Sequence, residues 1–201
     1  MTSELLLAFV LFAFVTSITP GPNNTMLLAS GVNFGVRRSL PHLLGISLGF
    51  MVLVACVGLG LGQLFEQFPA LYTALRYGGA VYLLYLAWKI AGAGAPDANG
   101  KSTGKPFTFL QAAAFQWVNP KAWIMAIGAI TTYTPQEGFL TNVLLIAALF
   151  ALVNCPTCSL WAVAGSLLRR WLNRPAILRA FNIAMALLLV ASLYPILKDS
   201  F

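Results

Sequence analysis

The sequence predicts an all-α membrane protein with about six transmembrane helices, and its composition, apolar runs and charge placement all point that way. The 201 residues are 59% hydrophobic and 8% charged, whereas a soluble domain carries about 25% charged residues. About six apolar stretches approach the ~20 residues that a helix needs to cross a bilayer. The net charge of +7 falls in the segments between these stretches. That placement is typical of orientation in a membrane and argues against nucleic-acid binding.

The predicted spans fall into two halves on either side of one polar linker. Their approximate ranges are 5–30, 40–64, 70–90, 118–133, 140–168 and 177–197. The linker, about 93–106, is rich in Gly, Pro, Asn and Lys, a composition that favours a loop. It separates halves at about 1–92 and 107–201. Residues 107–117 are expected to form an apolar helix that leads into span four.

Lysine and arginine counts predict the orientation in the membrane. Most of these residues fall in the loops on one side: Arg37, Arg38, Lys89, Lys101, Lys105, Lys121, Arg169, Arg170, Arg174 and Arg179. The other side holds Arg76 and Lys198. Because basic residues concentrate on the cytoplasmic side, both termini are predicted on the non-cytoplasmic side.

The first predicted span is interrupted by the helix-breaking run Thr19-Pro20-Gly21-Pro22-Asn23-Asn24. Prolines donate no backbone hydrogen bond, so the carbonyls one turn earlier, near Thr16 and Ile18, lose their partners. An orphan carbonyl in lipid costs several kcal/mol. The break is therefore expected to line an enclosed or water-filled cavity.

A new helix is expected to begin after this break. Its free amides and the positive end of its dipole can hold a carboxylate, and Asn23 and Asn24 add uncharged donors and acceptors. This combination favours a site for a zwitterionic substrate over a proline kink that serves only packing.

The second half carries a comparable interruption, Asn119-Pro120-Lys121, near the start of span four. Three spans per half imply that a repeated half inserts upside down, and transporters built this way bind substrate at the repeat interface. We therefore expect one transmembrane transporter domain, 1–201, of two inverted three-helix halves with discontinuous helices 1 and 4. The candidate substrate-binding residues are Pro20, Gly21, Pro22, Asn23, Asn24, Asn119, Pro120, Lys121 and Asn154.

Two of these candidates have alternative roles. Lys121 either extends to the cytoplasmic surface or meets a substrate carboxylate or an acid such as Glu66. Asn154 precedes Pro156, which kinks span five, so its amide either repairs the kink or faces the pathway.

The coupling chemistry is open at this level. The acidic residues all lie near span ends, and His42 is the only histidine. His42 either relays protons or is a solvated side chain at the membrane interface.

Cys155-Pro156-Thr157-Cys158 supports an alternative function, a membrane thiol-redox electron conductor that uses Cys155 and Cys158. Cysteines at i and i+3 share one helix face, close enough to consider pairing. Such a conductor needs reactive cysteines in both halves, and the first break holds none. A structural or cavity-lining role for the two thiols is the competing interpretation. A scaffold subunit without transport is a third hypothesis, but it has no need for broken helices that carry amides.

Several stretches resemble the LysE/RhtB-type amino-acid exporter family, the LysE type translocators. They are Thr19-Pro20-Gly21-Pro22-Asn23, Gly31, Gly35, Gly45, Gly49-Phe50, Tyr85-Leu86-Ala87-Trp88-Lys89 and Gln116-Trp117-Val118-Asn119-Pro120-Lys121. The chain looks most similar to the cysteine/O-acetylserine exporter branch.

The resemblance implies a secondary active exporter of small amino acids or their derivatives in a bacterial inner membrane. It implies antiport driven by the proton gradient, with a small amino acid, protons and the lipid bilayer as partners. It suggests neither an enzyme nor a cofactor or metal. A homodimer is a possible assembly for so small a transporter.

Overall fold

A computed structural model of the protein describes residues 1–61, 63, 67–93, 104–172 and 174–194. These residues form helices joined by short connections, with no strand among them, so the predicted all-α class is confirmed. The helices are α1 (Ser3–Ile18), α2 (Pro22–Phe34), α3 (Val36–Cys56), α4 (Pro69–Ala91), α5 (Phe109–Gln116), α6 (Pro120–Tyr133), α7 (Phe139–Leu168) and α8 (Pro175–Ala191). Most of the predicted linker lies outside the described residues, as do Glu66, Lys101 and Lys198.

Two helical stretches are individually long and apolar enough to cross a membrane. One is α3 with the π-helical turn that extends it, Val36–Leu61, and the other is α7. The pair α1 and α2 meets the same criterion together, as one span bent by 55°. The character of an all-α membrane protein is thus confirmed, while six spans and the inversion of the halves stay predictions.

Helix α1 ends at Ile18 because the prolines of the break cannot continue its hydrogen bonding. The two carbonyls expected to lose partners are both capped by side chains. The Thr19 hydroxyl donates to the Thr16 carbonyl at 3.0 Å, and Trp161 Nε1 of α7 donates to the Ile18 carbonyl at 3.2 Å. Helix α2 then starts with Pro22 at its first position, where a missing amide costs nothing.

The second interruption separates two helices. Thr108 and Gln111 form a capping box at the start of α5, which explains why the apolar approach segment is a helix of its own. After α5, the Asn119 side chain accepts a hydrogen bond from the Lys121 amide at 3.2 Å. This N-cap and Pro120 at the first helical position start α6.

Glycines allow α2 and α7 to cross in backbone contact. A Cβ atom on Gly31 would overlap the Ala162 carbonyl oxygen, and one on Gly165 would overlap the Leu28 carbonyl oxygen. Small residues permit this approach between membrane helices, where van der Waals packing drives association. The crossing holds α2 directly against the second half of the chain.

A cluster of aromatic rings packs α1, α3 and α7 together. Phe150 lies edge-on to Phe9 and to Phe50, with centroid distances of 5.3 and 4.8 Å. All three rings are buried. This cluster packs the three helices against one another around the middle of α1.

Candidate functional site

The two interruptions of the chain meet in space. Asn23 at the start of α2 and Gln116 at the end of α5 exchange two hydrogen bonds. Asn23 Nδ2 donates to Gln116 Oε1 at 2.8 Å, and Gln116 Nε2 donates to Asn23 Oδ1 at 3.1 Å. A reciprocal amide pair needs both partners in register, so it fixes the position of the first break against the second. Gln116 was not a candidate from the sequence, because its partner lies 93 positions away.

Lys121 makes a second link between the breaks. Its Nζ donates to the carbonyl and the hydroxyl oxygens of Thr19, both at 2.8 Å, and reaches the Pro20 carbonyl oxygen at 3.3 Å. The side chain therefore points to the first break and contacts its oxygens. Gly21 makes room for it, since a Cβ there would lie 2.8 Å from Lys121 Cδ.

Asn24 closes the first break from the other side. Its Nδ2 donates to the carbonyls of Ser17 and Thr19, each at 2.8 Å. The residue is 3% exposed, and its Oδ1 is buried without a hydrogen-bond partner. An unpaired buried acceptor costs about 1–3 kcal/mol. A ligand that brought a donor to this oxygen would recover that cost.

Asn154 of α7 joins two helices of the first half. Its Nδ2 donates to Ser17 Oγ at 3.2 Å, and Ser47 Oγ donates to its Oδ1 at 3.1 Å. The kink at Pro156 is instead accompanied by the Thr157 hydroxyl, which donates to the Val153 carbonyl. The alternative of kink repair by Asn154 is therefore wrong.

These side chains surround a small cavity between the two interruptions. Its lining comprises Thr16, Ser17, Gly21, Asn23, Asn24, Phe50, Asn119, Lys121, Ala122, Met125, Asn154 and Cys158. Six candidates from the sequence are among them: Gly21, Asn23, Asn24, Asn119, Lys121 and Asn154. The three prolines lie outside the lining and act through the backbone by ending or starting helices.

Several of the other lining residues share simple spacings with the candidates, and Cys158 has the cavity-lining position that was one interpretation of its thiol. Thr16 and Ser17 lie about one turn before the first break, and Cys158 lies one turn after Asn154 on the same face of α7. Phe50 and Met125 carry no such signal, because an apolar residue facing a cavity looks like any other core residue in the sequence.

The electrostatics of the cavity suit a zwitterion. The carbonyl end of α1, the negative end of its dipole, lies beside the amide ends of α2 and α6, which are positive. The Asn23 and Asn24 amides belong to the first turn of α2, where no helical acceptor is available. Lys121 is the only charged side chain among the lining residues. Such a site can bind an ammonium and a carboxylate a few ångströms apart without an acidic side chain.

His42 is buried away from this cavity. It is 0% exposed, and neither ring nitrogen has a hydrogen-bond partner. The Phe107 ring lies against it at a centroid distance of 5.0 Å. The expected solvated histidine at the membrane interface is therefore wrong, because Phe107 covers the ring.

Comparisons with known proteins agree with this picture. A family model described as LysE type translocator matches residues 14–192. The chain is 38% identical to a cysteine/O-acetylserine efflux protein of Salmonella choleraesuis (strain SC-B67), over 94% of this chain and 96% of that protein. It is 37% identical to proteins of the same name from Escherichia coli (strain K12) and Shigella sonnei (strain Ss046), with the same coverage. No solved structure matches the chain.

Proposed function

We propose that the chain is a secondary active exporter of cysteine, O-acetylserine or a closely related small amino acid. The chain belongs to the LysE type translocator family, and its relatives are named as cysteine/O-acetylserine efflux proteins. The observation that carries this proposal is the cavity at the meeting point of the two interruptions. It lies beside the first-turn amides of α2 and contains Asn24, whose buried Oδ1 has no partner.

The substrate binds in this cavity as a zwitterion. Its carboxylate faces the first-turn amides of Asn23 and Asn24, where the α2 dipole is positive. Its ammonium faces the carbonyl end of α1 and Asn24 Oδ1. The side chain points to Phe50, Met125 and Cys158, which are apolar or weakly polar. A small uncharged side chain suits this lining, and the thiol of cysteine or the ester of O-acetylserine meets that description.

Transport requires the cavity to open alternately to the two sides of a bacterial inner membrane. The order of elements supports the inverted repeat: each half contains a helix pair with a Pro-started second member, then a long helix, then one further helix. In such folds one repeat moves against the other around a fixed site. The proposal keeps both termini on the non-cytoplasmic side, and it permits a homodimer.

Proton antiport provides the driving force in this proposal. The described carboxylates, those of Glu4 and Glu137, do not line the cavity. His42 is a buried titratable group without a partner in the described part of the chain, and it is our candidate for the proton site. The thiol-redox alternative gains no support from the comparisons, since the relatives are named as efflux proteins.

An export assay tests this function. The chain is expressed in a strain that overproduces cysteine and O-acetylserine, and both compounds are measured in the medium. Export should rise with expression and be lost in Asn24→Ala. Asn142→Ala is the matched control, because Asn142 is also buried but caps the Pro135 and Glu137 carbonyls away from the cavity. It should lower thermal stability and preserve export per folded molecule. If the wild type exports neither cysteine nor O-acetylserine, the proposal is overturned.

A further inference from the structure

The ammonium group of Lys121 uses all of its hydrogen-bonding capacity in this structure. A lysine ammonium has three N–H donors, and Nζ faces three oxygens: the two of Thr19 at 2.8 Å and the Pro20 carbonyl at 3.3 Å. No donor is left for a substrate carboxylate in this conformation. In this conformation Lys121 is therefore not available to bind the substrate carboxylate.

The oxygens that bind Lys121 form an ammonium site that belongs to the broken helix. Two of them are backbone carbonyls at the end of α1, where the helix dipole is negative and favours a cation. The third is the Thr19 hydroxyl, held in place because it also donates to the Thr16 carbonyl at 3.0 Å. Nothing in this oxygen cluster distinguishes a lysine ammonium from any other primary ammonium.

The same oxygen cluster lies at the mouth of the substrate cavity. Gly21, next to Pro20, lines the cavity together with Lys121 itself. Asn24 donates from Nδ2 to the Thr19 carbonyl, and its Oδ1 is buried without a hydrogen-bond partner. An α-ammonium group in the cavity therefore has two acceptor sets within reach, one free and one occupied by Lys121.

We infer that Lys121 is a tethered competitor of the substrate, holding the oxygen cluster of Thr19 and Pro20 until the substrate's α-ammonium replaces it. This inference rests on the proposed export of amino acids. The displaced Lys121 ammonium needs a new partner, and the substrate carboxylate supplies one. An amine without a carboxylate would displace Lys121 and leave it unpaired, so it is rejected. Lys121 is thus a specificity-determining residue that selects zwitterions against simple amines.

Methylammonium is the probe that separates this role from a plain carboxylate-binding role. Purified wild-type protein and the Lys121→Met and Lys121→Gln variants are compared by competition of methylammonium against radiolabelled cysteine under reducing conditions. In the variants the oxygen cluster is open, so methylammonium does not have to displace the Lys121 ammonium. We expect it to bind about tenfold more tightly than in the wild type, which corresponds to the free energy of about one charge-assisted hydrogen bond. Tetramethylammonium, which has no N–H donor, should gain nothing.

Two further variants act as controls. Lys105→Met removes an exposed lysine by the same substitution, and its affinity for methylammonium should equal that of the wild type. Adding Thr19→Val to Lys121→Met removes one acceptor of the cluster and should reverse part of the gain.

The outcomes separate the inference from the function on which it rests. Unchanged methylammonium affinity in folded Lys121→Met or Lys121→Gln protein, judged by size-exclusion profile, overturns the inference, even if cysteine binding weakens. Methylammonium that already competes in the wild type as well as the amino acid does also overturns it, and this measurement requires no variant to fold. If the wild type binds no amino acid at all, the proposed function fails and the inference with it.

Discussion

Replacing Asn154 by alanine should destabilise the protein by breaking the link between α7, α1 and α3. The substitution removes the hydrogen bonds with Ser17 and Ser47. The two hydroxyls stay behind in sites that are 3% and 2% exposed. A buried polar group left without its partner costs about 1–3 kcal/mol. With two bonds lost and little water access, we expect a total loss of about 2–3 kcal/mol.

The same reasoning predicts a compensation that a simple loss of packing would not give. If the cost comes from unpaired hydroxyls, removing those hydroxyls should recover much of it. The variant with Ser17→Ala, Ser47→Ala and Asn154→Leu should therefore be more stable than Asn154→Ala alone. Its loss relative to the wild type should be about 1 kcal/mol or less.

Thermal unfolding in detergent, followed by tryptophan fluorescence, measures both effects. For a chain of this size, 1 kcal/mol corresponds to about 2–4 °C in the unfolding midpoint. Asn154→Ala should lower the midpoint by about 4–12 °C, and the triple variant should recover most of that difference. An Asn154→Ala midpoint within 1 °C or so of the wild type would refute the reasoning. A triple variant that is less stable than Asn154→Ala would refute it as well.

Three further predictions concern packing, the buried histidine and the cysteines. Gly31→Ala should lower stability by about 1–3 kcal/mol, because the added Cβ would overlap the Ala162 carbonyl. Gly78→Ala should be neutral, because no atom lies within 4 Å of a Cβ there. The yield and the unfolding midpoint of the two variants test this difference, and equal values would contradict it. His42→Leu should raise the stability by about 1–2 kcal/mol by removing two unpaired buried nitrogens and should lower proton-driven export, so an unchanged response of export to a pH gradient would exclude His42 as the proton site. The double replacement of Cys155 and Cys158 by serine should keep export, and its complete loss would revive the thiol-redox hypothesis.

The sequence was sufficient to locate the first interruption and its chemistry. The prolines of the break predicted orphan carbonyls at Thr16 and Ile18, and both are capped by side chains in the structure. The prediction succeeded because a proline acts on its own helix, one turn away. It needed no knowledge of the neighbouring helices.

The sequence was insufficient wherever a role depends on contacts between distant segments. The target of Lys121 is set by the 55° bend of the first span and by the space that Gly21 leaves. The burial of His42 depends on Phe107, which follows the predicted linker. The pairing of Asn23 with Gln116 joins residues in opposite halves. Helix facing changes by about 100° per residue, so none of these contacts follows from composition or from uncertain span ends.

The most direct test of the central claim asks whether the substrate occupies the cavity between the two interruptions. A single cysteine is introduced by Thr16→Cys, which places a thiol in the cavity lining, in a background with Cys56, Cys155 and Cys158 replaced by serine. The rate of modification by a small methanethiosulfonate reagent is measured in membrane vesicles with and without O-acetylserine. We predict that saturating O-acetylserine slows modification several-fold. O-acetylserine esterified at its α-carboxyl group, which lacks the free carboxylate, should not slow it. An unchanged rate in vesicles that actively transport O-acetylserine would place the substrate elsewhere and contradict the account.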